Sequence, residues 1–254
     1  NWYARLPDLI VFDKQNFHAE FGWSKEPTPF QNRMDLNYKK IEEGESWGEK
    51  WESAWFHLTG EVPNTWSGKQ VSTDLDFSGE GLVFNSNGIA IQGITNGAIW
   101  DPNFARTRVP FIDKCIGGEK IELWVEAAAN SLFGVFTDPD PNEQSPKRHG
   151  WFDAKVEKMQ FGIFDKDIWH LYLDVRILLG LVKHLDKKSV RRIRIIKSLN
   201  HCINAFAENR SNAQASRDCL KVELEKSASA SDLKVSAIGH AHIDTGWLWP
   251  VRET

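Results

Sequence analysis

The fold class of this 254-residue chain is indicated most clearly by Gly81-Leu-Val-Phe84-Asn-Ser-Asn87-Gly88-Ile89-Ala-Ile-Gln-Gly-Ile94. Two short apolar runs flank Asn87-Gly88, and both of these residues tolerate the positive φ angles of a tight turn. An Asn-Gly pair between two apolar runs is the strongest short-range signal for a β-hairpin. The stretch therefore predicts two antiparallel strands joined by a turn.

Similar short apolar runs continue on both sides of this hairpin, from about Trp47 to Phe164, and Gly, Asn and Pro separate them. Leu75-Asp-Phe77 alternates in polarity, as a strand with one solvated face does. Closely spaced strands without helical periodicity between them favour an all-β sandwich or jelly roll. We read the Trp47, Trp51 and Trp55 repeat as a loop entering a strand. The predicted strands are Ala54–Leu58, Val71–Phe77, Gly81–Phe84, Ile89–Ile94, Ile121–Ala127, Ser131–Phe136 and Lys155–Phe164.

After Phe164 the apolar period changes from two residues to three or four. Asp165 is a predicted N-cap for an amphipathic helix that ends at about His184 or Leu185, and Ser189 is a predicted N-cap for a second helix. A third amphipathic stretch runs from Asn212 to Lys226, before the small-residue linker Ser227–Ser231. The predicted inner face of the second helix consists of Ile193, Ile196, Leu199, Ile203 and Phe206.

The chain closes on a stretch rich in metal-ligating residue types, Gly239-His240-Ala-His242-Ile-Asp244-Thr-Gly-Trp247-Leu-Trp-Pro250. The apolar run Val235–Ile238 before it predicts a buried strand. Strand alternation would place His240, His242 and Asp244 on one face. Two imidazoles and one carboxylate suit a borderline divalent cation, most plausibly zinc. A structural role stays open, with the histidines buried against backbone groups and Asp244 capping a turn.

This stretch resembles the zinc-binding signature of glycoside hydrolase family 38, the α-mannosidases, in particular their cytosolic and vacuolar branch. The resemblance implies that His242 and Asp244 are zinc ligands and that Trp247 lines the mannose subsite. His240 is then a neighbour of the site. The family hydrolyses α-mannosides with retention, and its catalytic domain is a β/α barrel whose first strand would be Lys234 to Asp244.

The resemblance also implies what this chain lacks. The family's nucleophilic Asp, its general acid and a later His ligand would lie beyond Thr254, so no catalytic residue is assigned here and the fragment is expected to be inactive alone. Its partners would be an α-mannoside oligosaccharide and the remainder of its own catalytic domain. Residues 234–254 are expected to stay poorly ordered, or to borrow a partner, without that remainder. The predicted domains are a β-sandwich (1–165), a helical connector with its linker (166–232) and the start of a truncated catalytic barrel (233–254).

Three passages of the sandwich region resemble accessory domains of carbohydrate enzymes with a galactose-binding-like fold: Trp51–Pro63, Asn85–Gly88 and Glu126–Gly134. This resemblance implies a fold and assigns no binding residues. Five tryptophans are candidates for a sugar-stacking platform, although a core or interface position is the stronger expectation for each, because aromatic rings bury large apolar areas. These candidates are Trp47, Trp51, Trp66, Trp100 and Trp151.

Composition excludes several classes of function. A hydrophobic content of 41% supports a packed core, and a formal charge of −4 gives no basic footprint for nucleic acid. No apolar run approaches the ~20 residues that span a bilayer. Three scattered cysteines, Cys115, Cys202 and Cys219, suit a reducing cytoplasm better than a disulfide framework. A homo-oligomer is left open.

Two other hypotheses remain at this point. One is a metal-dependent hydrolase of another kind, such as a deacetylase, because such barrels also begin with His-x-His or His-x-Asp on a first strand. The other is a non-catalytic carbohydrate-binding or assembly module. Sugar binding by residues 1–230 alone would support the module.

Overall fold

The computed structural model describes residues 2–49, 52–96, 105–129, 154–227, 234–240, 244–245 and 251. The chain divides into two compact units, each of which is described by itself. One unit contains Asn1–Phe12 and Phe164–Ala241, and the other contains Asp13–Ile163 and His242–Thr254. The first twelve residues, which the sequence analysis placed with the sandwich, therefore cluster with the helices.

The larger unit is a β-sandwich, as predicted, and every strand pair with a defined register is antiparallel. One sheet has four strands in the spatial order β1 (Val11–Asn16), β10 (Lys158–Phe164), β5 (Val71–Asp76) and β8 (Pro110–Ile112). The other has six strands in the order β3 (Tyr38–Lys40), β2 (His18–Ser24), β4 (Ser53–Glu61), β9 (Lys120–Ala128), β6 (Glu80–Asn85) and β7 (Ala90–Thr95).

The hairpin predicted around Asn87-Gly88 is present, formed by β6 and β7. Only Gly88 takes a positive φ, of 76°. The loop is closed instead by Asn85, whose side-chain oxygen accepts hydrogen bonds of 3.0 Å from the amides of Asn87 and Ile89. A side chain at Gly88 would also collide with the ring of Phe30, because an added Cβ would lie 2.5 Å from it. Glycine is therefore required here both for conformation and for space.

The core of the sandwich is built on the inner face of β4. The Phe56 ring lies 4.3 Å from that of Phe77, which follows β5, so aromatic packing joins the two sheets. Phe17 and Phe161 form a second contact, at 4.7 Å between ring centres. Offset and tilted ring pairs of this kind stabilise a core beyond the area they bury.

The outer face of β4 is also covered. Trp55 is 1% exposed. Its indole N–H donates to the carbonyl of Thr28, and its ring meets Phe30 edge-on at 5.5 Å. Arg33 then lies over the Trp124 ring of β9, at 4.3 Å from its centre. The segment around Phe30 thus forms a second layer over the six-stranded sheet.

Several strands fall outside the predicted range, which began at about Trp47. β1, β2 and β3 precede it, and β8 lies inside it without having been predicted. These strands are short or rich in charge, as in Val-Phe-Asp-Lys-Gln-Asn for β1. They were missed because pairing with neighbouring strands, which a sequence pattern does not reveal, stabilises them. The predicted strand Ser131–Phe136 lies outside the described residues.

The smaller unit is helical. The three predicted helices are present, and a further helix at the N-terminus, with Pro7 inside it, was not predicted. Leu6, Leu171, Leu199 and Leu220, one from each of the four helices, belong to one buried cluster. The helices are α1 (Trp2–Ile10), α2 (Lys166–His184), α3 (Val190–Phe206) and α4 (Ala213–Leu224).

The predicted inner face of α3 is wrong in part. Leu199 and Phe206 are buried as predicted, but Ile193 is 57% exposed and Ile203 is 39% exposed, and Ile196 is half-buried. Ile195 and Cys202 occupy the core positions instead. Both sets of residues follow helical spacing, so periodicity alone did not decide which side of this broad apolar face packs against the other helices.

The predicted first strand of a barrel is not confirmed. Residues 234–240 have no regular secondary structure and are all exposed, with Val235 at 88% and Ile238 at 87%. An extended segment needs a neighbour for its backbone groups, and no strand of the described ranges pairs with it. No closed barrel is seen there either. No helix of the described residues is long and apolar enough to cross a membrane.

Candidate functional site

The terminal motif is only partly described. His240 is exposed, and Asp244 is half-buried and makes interactions with its surroundings. His242 and Trp247 lie outside the described residues. The structure therefore leaves the predicted ligand pair His242 and Asp244 untested, and the predicted role of Trp247 stays a prediction.

A metal centre is not assembled within the described part of the chain. No group of three or more His, Cys, Asp or Glu side chains there could hold a metal ion. The donor set that the sequence offers, imidazole nitrogen from His242 and carboxylate oxygen from Asp244, is nevertheless of the kind zinc prefers. These two residues fit part of a zinc site whose other ligands must come from elsewhere.

The most perturbed cysteine, Cys202, offers no alternative reactive centre. All three are free thiols, and Cys115 and Cys202 are buried. Burial, with smaller contributions from Cys219 and Asp174, raises the pKa of the Cys202 thiol to about 12. This thiol is therefore protonated at neutral pH and is a poor nucleophile.

Two of the five platform tryptophans are part of the sandwich interior. Trp47 is 3% exposed and donates its indole N–H to the carbonyl of Phe77. Trp66 is 1% exposed and donates to the Asp13 carboxylate at 2.7 Å. Neither ring is available to a sugar. The other three candidates, Trp51, Trp100 and Trp151, lie outside the described residues.

Trp23, which the sequence analysis did not select, faces an open cleft. It stands at the end of β2 and is 47% exposed. The cleft has a volume of about 670 Å³. Its lining includes atoms of Phe21 and Trp47, although both residues are at most 3% exposed. The polar and charged residues around it are Asp35, Asn37, Lys39, Ser46, Glu49 and Glu52.

Strand geometry explains why these side chains meet. Trp23 lies two residues after Phe21, so both point to the same face of β2. Lys39 of β3 is the register partner of Phe21, and its ammonium lies 4.9 Å from the centre of that ring. The sequence gives no signal for this arrangement, because it depends on the register between β2 and β3.

A buried charged residue of the sandwich lies on β5. Asp74 is 2% exposed, and its carboxylate accepts hydrogen bonds from Lys14 at 2.6 Å and from the Thr107 hydroxyl at 3.0 Å. Burial alone would raise the pKa of Asp74, but Lys14, Lys158 and Thr107 together hold it below its usual value. Fully partnered in this way, Asp74 has a structural role.

Comparison with known proteins identifies the family. A family model described as the jelly roll domain of α-mannosidases matches residues 15–157, which is more than half of the chain. The model of the N-terminal domain of glycosyl hydrolases family 38 matches residues 232–254. The chain belongs to the family 38 α-mannosidases. The sandwich of this chain is accordingly a jelly roll, which confirms that part of the predicted fold class.

Individual relatives agree with this assignment. Alpha-mannosidase G of Dictyostelium discoideum is 33% identical over 261 residues, covering 100% of this chain and 23% of the relative. Alpha-mannosidase 2C1 of Homo sapiens is 28% identical, covering 90% of this chain and 21% of the relative. The chain thus spans about a fifth to a quarter of the length of the curated relatives it matches. Among solved structures, the β-glucuronidase of Ruminococcus gnavus is 11% identical with a TM-score of 0.35, covering 60% of this chain and 29% of that chain, a likeness too low to support an argument.

Proposed function

We propose that this chain is the N-terminal part of a zinc-dependent, retaining α-mannosidase that removes terminal α-mannose from oligosaccharides. The observation that carries the proposal is the match of residues 232–254 to the family 38 N-terminal domain, because this segment contains the whole histidine-rich motif. Family membership also favours a mannosidase over a deacetylase-like hydrolase, whose first strand can carry similar residues.

In this proposal, His242 and Asp244 hold the metal together with ligands from the rest of the catalytic domain. A bound zinc ion would supply positive charge that orients the sugar's neighbouring hydroxyl groups, which is the templating role of a catalytic metal. Trp247 contributes an apolar ring against the sugar, and His240 supports the site from its edge. The nitrogen and oxygen donors of His242 and Asp244 support this assignment chemically.

The covalent chemistry is assigned to residues outside this chain. A retaining glycosidase uses one carboxylate as nucleophile and a second as general acid, and water then hydrolyses the glycosyl-enzyme. The motif here supplies metal ligands and a sugar platform but neither of these two carboxylates. We therefore expect the 254-residue chain alone to be inactive. A cytoplasmic location and assembly into homo-oligomers also stay predictions.

The test uses the complete protein and a chromogenic α-mannoside. Removing a zinc ligand should reduce activity below roughly 1% of wild type, since losing even an outer-shell partner of a metal costs about 10- to 100-fold. His242→Ala and Asp244→Ala should also lower the bound zinc per protein. His240→Ala is the matched control on the same segment and should retain more activity and its zinc.

Each outcome separates the hypotheses. Full activity and zinc content in His242→Ala would contradict the assignment of the metal site. Hydrolysis of an acyl or acetyl substrate, with no activity on the α-mannoside, would favour the deacetylase-like hydrolase instead.

A further inference from the structure

We infer that the cleft around Trp23 on the jelly roll binds a pyranose unit of an oligosaccharide, using residues that the terminal motif does not share. The inference rests on the contacts of this cleft and is independent of the proposed catalytic function. Its three components are an exposed and immobilised aromatic ring, a set of polar side chains with unused hydrogen-bonding capacity, and a volume suited to a small ligand.

The Trp23 ring is held in place although nearly half of it is exposed. Its indole N–H donates to Oε2 of Glu52 at 2.6 Å. The same oxygen accepts from the backbone amide of Glu49 at 2.6 Å, which fixes the carboxylate in turn. A ring that is already immobilised loses little conformational entropy when a ligand stacks on it, and such preorganisation favours binding.

The side chains beside the ring are ready to bond hydroxyl groups. Within the described ranges, Asn37, Lys39 and the carboxylate of Glu49 accept or donate no side-chain hydrogen bond, while Asp35 accepts only a long one of 3.3 Å from Asn32. Together they offer an amide, an ammonium group and two carboxylates. A sugar presents an apolar face of C–H groups for the ring and a rim of hydroxyls for these polar groups.

The charges and the size favour a neutral sugar over other ligands. Three carboxylates, on Asp35, Glu49 and Glu52, stand against the single ammonium of Lys39, so a phosphate or another anion would be repelled. The volume of about 670 Å³ lies within the range of small-molecule sites, which are clefts of about 300–1,000 Å³. Binding between a few hydroxyls and one ring should be weak, with a dissociation constant in the millimolar range.

The test is ligand-observed NMR and calorimetry on the 254-residue chain. The probes are methyl α-mannopyranoside, methyl β-glucopyranoside and a linear mannotriose. At least one should show saturation transfer from the protein. Trp23→Ala should weaken that binding by at least roughly tenfold, the equivalent of ~1.4 kcal/mol. Trp23→Phe, which keeps a ring but loses the bond to Glu52, should have an intermediate effect.

The control is Ile116→Ala, a truncation of an apolar side chain that is 79% exposed and lies outside the cleft, and it should leave binding unchanged. Glu49→Ala removes an exposed carboxylate of the cleft without affecting the core, so it decides the question if Trp23→Ala fails to fold. The inference is overturned if none of the three sugars binds, or if binding persists undiminished in Trp23→Ala and Glu49→Ala. Loss of self-association in Trp23→Ala without any sugar binding would identify the ring as a protein contact instead.

The complete enzyme distinguishes this site from the proposed active site. Trp23→Ala should leave turnover of a small chromogenic α-mannoside unchanged. His242→Ala should abolish turnover while leaving sugar binding at Trp23 intact. The proposed sugar site at Trp23 can therefore be refuted without refuting the proposed active site, and the reverse also holds.

Discussion

Two short apolar runs of this chain, Ala54–Leu58 and Val235–Ile238, have opposite environments. In the first run Ala54, Phe56 and Leu58 are completely buried. Its strand, β4, is hydrogen-bonded to β2 on one side and to β9 on the other. In the second run Val235 and Ile238 are almost fully exposed, and the described residues around them form no strand. An apolar run becomes a strand only where neighbours pair with its backbone and cover its side chains.

The largest expected difference between these runs is in amide hydrogen exchange. Amides of β4 should exchange only through global unfolding, which costs about 5–15 kcal/mol in typical domains and slows exchange by about 10⁴-fold or more. Amides of residues 235–240 should exchange at nearly the unprotected rate, because no described strand pairs with them. Mass spectrometry of the deuterated 254-residue chain measures both segments in one experiment.

The same measurement on the complete protein tests whether residues 235–240 gain a partner there. If Lys234–Asp244 is the first strand of a catalytic barrel, its amides should become protected there while those of β4 remain as they were. Protection of residues 235–240 already in the 254-residue chain would contradict the view that this segment lacks a partner.

A matched pair of truncations tests the same contrast through stability. Val83 on β6 is completely buried, whereas Val235 is 88% exposed. Val83→Ala should lower the free energy of unfolding by about 2–3 kcal/mol, from lost burial of two methyl groups and the cavity left behind. Val235→Ala should change it by less than about 0.5 kcal/mol, as is usual at exposed positions. Urea unfolding followed by fluorescence measures both, and equal losses would show that Val235 is buried in solution.

Much of the sandwich could be predicted from sequence, because each central strand is an apolar run flanked by turn residues. Asn87-Gly88 between two apolar runs located the hairpin, and the run before Pro63 located β4. β1 and β3 could not be found in this way, since charged side chains dominate them and partner strands provide their stability. The layer over Trp55 was equally hidden, because it depends on a long-range contact with Phe30.

The two candidate sites also differ in how much of each could be predicted from the sequence. The terminal motif was recognisable from residue types and spacing. The geometry of the proposed site could not be predicted in this way, because it depends on further ligands from the rest of the catalytic domain. The Trp23 cleft was invisible in the sequence, because it requires Lys39 to be the register partner of Phe21 and Glu52 to meet the indole N–H. Among the tryptophans of the described ranges, only the fold shows that the Trp23 ring remains uncovered.

A smaller effect is expected at the two aspartates of β5, Asp74 and Asp76. Both accept hydrogen bonds from groups of the sandwich, whereas Asp244 is proposed to bind a metal. Asp74→Asn should cost about 1.5–3 kcal/mol at neutral pH, the range for hydrogen bonds to charged groups. The pKa of Asp74 is lowered in the fold, so its contribution is present above the unfolded value of about 3.9 and is lost as the pH falls through the folded value. The cost of Asp74→Asn should therefore shrink in urea unfolding at pH 3.

Asp76 on the same strand provides the control, because burial raises its pKa despite the hydrogen bond from the Ser78 amide. Its ionised form is thus less favourable in the fold than in the unfolded chain, and Asn can accept the same bond. Asp76→Asn should be neutral or stabilising at pH 7. If it destabilises as much as Asp74→Asn, the two carboxylates are not distinguished by their charged partners.

The smallest expected effect concerns two N-caps that the sequence predicts equally well but the structure treats differently. The Asp165 side chain accepts a hydrogen bond of 3.1 Å from the Ile168 amide and forms an ion pair with Arg210 at 2.9 Å. The side chain of Ser189, in contrast, makes no capping hydrogen bond. Asp165→Ala should cost about 1 kcal/mol in the free energy of unfolding, the usual value for a capping side chain. Ser189→Ala should cost only a few tenths, because the alanine loses no hydrogen bond to the helix. Thermal unfolding monitored at 222 nm compares the two variants, and equal costs would mean that the Ser189 hydroxyl caps α3 in solution. A cap, like a strand, contributes stability only through the partner it actually meets.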